Sequence, residues 1–198
     1  MAEFPRVDRY LARLPYGFAS YPECLAKASV YRTFTESRSL KSFPWSKVRP
    51  EIATLLRTPV PHSAWISEVA VSSAILALTD HYGYDDDETV RWFHECNAAL
   101  LTNRMYRALM SLASPALMMK GAAHRWGNFH RGTGFGMAQE GNEAHITLRF
   151  PPFLFEAVVL RGLAEGIRIA VSMSRAKDAQ VEIVSSNPQS AVYRLSWT

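Results

Sequence analysis

Six histidines, two cysteines and a run of four acids are the residues best able to do chemistry in this chain, and their spacing argues against each obvious use. A helical metal pair needs two histidines four apart, so that both rings lie on one face. His62, His81, His94, His124, His130 and His145 contain no such pair; His124 and His130 are six apart and face different ways on a helix. Cys24 and Cys96 stand far from each other and from any clustered partner. They predict two reduced, buried thiols of a cytoplasmic protein, not a zinc site or a disulfide framework. The run Asp85-Asp86-Asp87-Glu88 lacks the glycine and distal glutamate of a calcium loop. Asp85-x-x-Glu88 has the spacing of a capping box instead, with acids where a helix N-terminus favours them.

Gly132-Thr133-Gly134-Phe135-Gly136 resembles a phosphate loop in composition only. Such a loop follows a strand and opens a helix, whereas this one leaves a helical pattern, enters a strand pattern and has no Lys-Ser/Thr pair after it. It reads as turn and bulge. Neither a Gly-x-Ser-x-Gly elbow nor His-Glu-x-x-His occurs. The expectation is therefore no metal, no cofactor and no catalytic set, leaning away from an enzyme. An enzyme of unfamiliar type stays open, because scattered His, Arg and Asp side chains can meet in space. Trp126, Phe129, His130 and Arg131 make the most suggestive cluster. It closes a basic stretch beside the glycine-rich entry to a sheet, where it would line a ligand pocket between helix and sheet. The competing reading is core packing by Trp126 and Phe129, with Arg131 solvated.

The elements that must position these residues follow from periodicity and punctuation. Prolines at 5, 15, 22, 44, 50 and 59 break up the first sixty residues. A short helix is predicted over Arg6 to Leu14 and another from Pro22 to about Thr35, with Leu25, Ala28, Tyr31 and Phe34 on one face. Pro50 opens one or two turns that end before Thr58-Pro59. Ser63 is placed as the cap of a helix that Gly83 stops near Tyr82. The next helix starts at Asp85 and turns Val90, Phe93, Asn97, Leu100 and Leu101 inward. A further one holds Met105, Leu109 and Leu112. Ser114-Pro115 then launches a helix through Leu117, Met118, Ala122, Trp126 and Phe129 to about Gly132.

Beyond Gly132 the period shortens to that of strands. Phe135 to Glu140 and Ala144 to Phe150 read as a hairpin about Gly141-Asn142. Pro151-Pro152 is taken to open a long apolar helix in which Gly162, Gly166 and Ala170 permit close approach of another element. Gln180 to Ser185 and Ala191 to Trp197 form a second hairpin about Asn187-Pro188. The fold class is α+β, helices packed on a four-stranded antiparallel sheet, with a β-β-α-β-β C-terminal half. One domain spans 1–198: a proline-punctuated helical part (1–60), a helical bundle (61–132) and the sheet part (133–198).

Composition agrees with a globular chain. Hydrophobic residues are 48% and charged residues 20%, enough for a core without staples. No apolar run is long enough to span a bilayer, and the charged N-terminus does not read as a signal peptide. Between Arg104 and Arg131 there are five basic residues and no acid. Without an aromatic–basic repeat or a DNA-reading motif, that stretch does not point to nucleic acid.

Ser114-Pro115, Trp126-x-x-Phe129-x-x-Gly132, the hairpin, Pro151-Pro152, Gly162-x-x-x-Gly166 and Tyr193-x-x-x-Trp197 together resemble a paralogous family of roughly 200-residue myxobacterial proteins. The resemblance covers about residues 20–198 and rests on the order of elements. That family has no established activity. Its C-terminal half is similar to the superfamily of haem nitric-oxide/oxygen-binding domains, 4-vinyl-reductase domains and TRAPP trafficking subunits. The resemblance implies a helical bundle on a four-stranded sheet, frequent dimerisation and an apolar ligand between the two layers. The Tyr-x-Ser-x-Arg triplet that grips haem propionates and the C-terminal cysteines of the vinyl reductases are both absent, so neither chemistry carries over. Two functions follow as expectations. The first is a non-enzymatic binding or regulatory module acting through contacts with another protein, as a homodimer. The alternative is a sensor or carrier of an apolar small molecule seated between the helix from Pro115 to Arg131 and the sheet.

Overall fold

The structure is a computed structural model that describes residues 3–101, 121–174 and 176–198. Proline in the first turn starts α1 (Pro5–Arg13), which buries Val7, Tyr10 and Leu11. The chain then turns through Tyr21, at φ 54°, into a short strand β1 (Leu25–Lys27), and only then into α2 (Ala28–Glu36). The helix expected from Pro22 therefore begins six residues later. What overrides it is long-range pairing: Ala26 lies opposite both Ile66 and His130, and the Lys27 amide donates to the Phe129 carbonyl at 2.7 Å.

After α3 (Pro50–Arg57) the same correction recurs. Residues expected to follow a cap at Ser63 form strand β2 (Trp65–Ser67), and α4 (Glu68–Tyr82) starts at Glu68. Ser67 is its cap, accepting from the Ala70 amide at 3.4 Å, and Gly83 at φ 67° ends it as expected. The capping box is present. The Glu88 amide donates to Asp85 Oδ1 at 2.7 Å, and the Asp85 amide donates to Glu88 Oε2 at 2.9 Å. Asp85→Ala is expected to lower unfolding stability by about 1 kcal/mol in urea titrations; no loss would mean water satisfies that amide equally well. Helix α5 (Asp86–Leu101) buries Trp92, Phe93 and Cys96, with both rings against Phe34 of α2 at 5.1 and 4.6 Å.

The helix through Met105, Leu109 and Leu112, and the opening of the next at Ser114-Pro115, lie outside the described residues. The described end of that second helix is α6 (Ala122–Gly127). It stops five residues before Gly132, because His130 and Arg131 leave it to form β3 (His130–Arg131) on the edge of a small sheet ordered β2-β1-β3. Gly132, at φ 71°, is where the chain turns out of that sheet. A Cβ there would lie 2.6 Å from the Glu23 carbonyl oxygen, so the turn reading of the glycine run is supported.

The second sheet is the one legible in the sequence. Strands β4 (Gly134–Glu140) and β5 (Glu143–Arg149) form a hairpin about Gly141 at φ 57°. The chain then passes to α7 (Ala157–Ser172), β6 (Gln180–Asn187) and β7 (Ser190–Ser196), giving the antiparallel order β4-β5-β7-β6. Register sets Phe135 and Met137 beside Leu148 and Ile146, and these beside Ala191 and Tyr193, all on the inward face. Among the described residues the chain is thus α+β, with seven α-helices and two antiparallel sheets.

Pro151-Pro152 does not open α7. Residues 151–156 form a turn with Phe153 at φ 61°, and the helix starts at Ala157. The N-terminal segment straps that turn: Tyr10 Oη donates to the Leu154 carbonyl at 2.9 Å, Tyr21 Oη to the Pro152 carbonyl at 2.9 Å, and Arg13 pairs with Glu156 at 2.9 Å. Val158, Val159 and Leu160 are buried within the chain, α7 lying against α5 and β6.

Candidate functional site

Strand β3 is two residues long, and alternation sends its side chains to opposite faces. His130 points inward. Its Nδ1 lies 2.5 Å from Glu68 Oε1, and the two side chains are only 10% and 3% exposed. Glu68 is the first residue of α4, where the helix dipole favours a carboxylate. Its amide is fixed in turn by the Cys24 carbonyl at 2.9 Å. Trp126 of α6 stacks on the His130 imidazole with centroids 4.0 Å apart and planes 19° from parallel. The same indole donates to Thr133 Oγ1 at 3.0 Å and packs against Phe135 of β4 at 5.6 Å.

Arg131 goes the other way. It is exposed, with its guanidinium over the Trp65 ring at 3.9 Å, and Lys27 Nζ stands 4.5 Å from the same ring. Phe129 is half-buried in the turn between α6 and β3, its amide donating to the Trp126 carbonyl. Of the four candidates, Trp126 and His130 are brought into one cluster and Arg131 into another. Glu68, Thr133 and Phe135 complete the first. Glu68 gave no signal as a site residue, since an acid opening a helix is ordinary capping chemistry.

Other reactive groups are quiet. Burial, with Glu23 and Glu68 nearby, pushes the Cys24 thiol up to about 12, and burial pushes Cys96 up to about 11. Neither is a thiolate at neutral pH, so neither is poised as a nucleophile. Between α5 and α7, His94 Nδ1 lies 2.9 Å from Glu165 Oε2, which also accepts from Arg168 at 2.6 Å. Burial raises the Glu165 carboxyl, but the hydrogen bonds from Arg168 and His94 outweigh it and hold it below the usual glutamate range. Among the described residues no three His, Cys, Asp or Glu side chains converge on one point.

The sequence matches no family model and no curated protein. Solved structures do match. A mutant of the T. tengcongensis H-NOX protein superposes with a TM-score of 0.58 over 87% of this chain and 97% of its own, at 7% identity. Fe(II) unliganded H-NOX from K. algicida gives 0.56 over 87% and 96%, at 7% identity. An H-NOX structure concerned with haem distortion gives 0.58 over 87% and 95%, at 8% identity. The fold is that of the H-NOX domains. At these identities the likeness carries the architecture and nothing finer. Among the described residues no helix is long and apolar enough to cross a membrane.

Proposed function

We propose that this H-NOX-like chain is a sensor or carrier domain for an apolar small molecule, held between α6 and the β4 side of the sheet. The observation that supports the reading is the aromatic pair that Trp126 of α6 and Phe135 of β4 make at the edge of the sheet's apolar face. Helix α7 packs on the β6–β7 half, where Tyr193 Oη donates to the Leu160 carbonyl at 3.1 Å. On β4, Phe135 and Met137 stay half-buried, with Trp126 against Phe135. An aromatic wall between helix and sheet is the kind of surface that takes an apolar ligand. Of the like-folded neighbours, one structure probes haem distortion in the H-NOX family and another is an Fe(II) unliganded H-NOX protein.

Haem itself does not fit these residues. All six histidines and both cysteines are among the described residues. His62, His124 and His145 lie on the surface, His81 packs against Phe43 at 5.1 Å, and His94 is engaged by Glu165 and Arg168. His130 has the carboxylate support of a metal-bound imidazole. However, its ring is stacked and nine-tenths covered, and a porphyrin must lie square across the Nε2 axis over an area many times that of the ring. An open cleft of about 460 Å³ beside Leu11, Tyr16, Phe18 and Arg49 contains neither imidazole nor thiolate.

The test uses 2-methoxynaphthalene, a flat apolar probe without a hydrogen-bond donor, in calorimetric titrations. One equivalent is expected to bind, and Phe135→Asp is expected to weaken it more than about tenfold by placing a charge in the wall. A wild-type protein that binds neither this probe nor its hydroxyl analogue would sink the reading. One observation favours a second reading, contact with another protein: Lys27 and Arg131 flank Trp65 without an ion-pair partner among the described residues, a surface complementary to acid. A native mass spectrum of protein purified from its own cells separates the two, showing a small bound mass or a co-purifying chain.

A further inference from the structure

A separate cleft lies on the N-terminal segment, an open hollow of about 460 Å³ between α1, the turn over residues 16–19 and the start of α3. That volume is in the range that takes a small molecule. Its floor is apolar, with Leu11 from α1 and Phe18 from the turn, both packed into or against the core. Tyr16 lines its side with 79% of its surface in water, one of two large hydrophobic side chains left so bare among the described residues. Gly17, at φ 54°, makes the turn that carries Tyr16 and Phe18. A methyl group at Gly17 would meet nothing within 4 Å beyond its chain neighbours, so the space beside the turn is open.

The mouth of the cleft is charged, and unevenly. Arg49 donates twice to Asp8 Oδ1, from Nε at 3.3 Å and from a terminal nitrogen at 2.8 Å. Its charge is matched there, and Asp8 Oδ2 receives no hydrogen bond among the described residues. Glu51, in the first turn of α3, lines the same cleft and has no ion-pair partner among the described residues. The N-terminus of α3 draws an anion, and Glu51 already supplies it. Two carboxylates thus stand against one guanidinium. Beside apolar walls that negative surplus is screened less than on open surface. The ring of Tyr16 adds to it, because the face of an aromatic ring attracts a cation.

We propose that this cleft is a binding site for an organic cation, an ammonium group carried on a flat apolar body. Asp8 Oδ2 and Glu51 receive the ammonium, and Leu11, Tyr16 and Phe18 cover the body. Carboxylates of the same shape are repelled at the mouth, and uncharged analogues keep only the apolar contact. The site goes beyond the reading given under Proposed function and does not rest on it, since no residue of the cleft belongs to α6 or β4.

Three indoles of one shape test this on the intact protein: tryptamine, 3-propylindole and indole-3-propionate, followed through the backbone amide resonances of Gly17 and Ala19. Tryptamine is expected to shift both saturably and to bind at least about fivefold more tightly than the uncharged indole, with the carboxylate weakest. Glu51→Gln is expected to remove most of the preference for the cation. The double variant Asp8→Asn/Glu51→Gln leaves Arg49 alone at the mouth and is expected to place indole-3-propionate first. Both positions are exposed, so the fold is kept. Tyr16→Ala is expected to weaken all three probes. Several results would each overturn the inference: amides of Gly17 and Ala19 unmoved by millimolar tryptamine, equal affinities for the three probes, or an order unchanged in the double variant. So would tryptamine binding that Phe135→Asp weakens and Glu51→Gln does not, which would put the probe at the α6–β4 wall. None of these results bears against the reading of that wall.

Discussion

Unequal losses are expected when the two halves of the Glu68–His130 pair are removed one at a time. His130→Ala leaves a carboxylate 3% exposed with no imidazole in front of it, and breaking a buried pair in this direction costs about 3–5 kcal/mol. Glu68→Ala leaves an imidazole that can stay neutral, so its cost falls to that of a lost buried hydrogen bond, about 1–3 kcal/mol. Both changes are measured by urea unfolding at neutral pH, with the slope checked for two-state behaviour. Losses that are equal, or below about 1 kcal/mol for His130→Ala, would show that water reaches the carboxylate and that the pair does not hold β3 to α4.

That pair also shows where sequence reasoning reaches its limit. Both C-terminal hairpins were legible because their signals are local: Gly141-Asn142 and Asn187-Pro188 sit between alternating runs, the register following from the turn in the first and shifting at a bulge between Ile183 and Ser185 in the second. The capping box was legible for the same reason, since both of its bonds close within four residues. The small sheet was not. Its strands are two or three residues long and come from segments that meet across the chain, Ala26 with Ile66 and with His130, so no window of periodicity contains them. Missing that sheet moved two helix starts, from Pro22 to Ala28 and from Ser63 to Glu68. It also merged Trp126, Phe129, His130 and Arg131 into one helical cluster, because helical spacing was continued past Gly127 into a strand. Trp126 and His130 remained together, and Arg131 was carried by alternation to the opposite face.

Packing of α5 against α7 rests on the absence of a side chain, and Gly162→Ala is expected to destabilise the protein by about 2 kcal/mol. A Cβ at position 162 would lie 2.2 Å from the Phe93 ring, which is itself buried and held edge-on to Phe34 at 4.6 Å. Alanine gains about 1 kcal/mol over glycine in a helix interior, so the overpacking cost of about 1–3 kcal/mol must exceed that gain for the variant to lose stability. Here it does, because neither the ring nor the backbone has free space to retreat into. Gly166 lies one turn further along the same helix and supplies the control. A Cβ there would meet the Asn97 side chain at 3.3 Å, and that side chain is secured by a single bond, from Nδ2 to the Gly162 carbonyl at 3.2 Å. A shift of a few tenths of an ångström accommodates it, so Gly166→Ala is expected to fall within about 1 kcal/mol of wild type, on either side. Phe93→Leu in the Gly162→Ala background is expected to recover part of the loss, a non-additivity that distant sites would not show. Thermal and urea unfolding of the wild type, the two glycine variants, Phe93→Leu and the double variant decide the matter. A Gly162→Ala protein as stable as wild type would mean that the two helices separate without cost, and that the ring–backbone contact does not set their spacing.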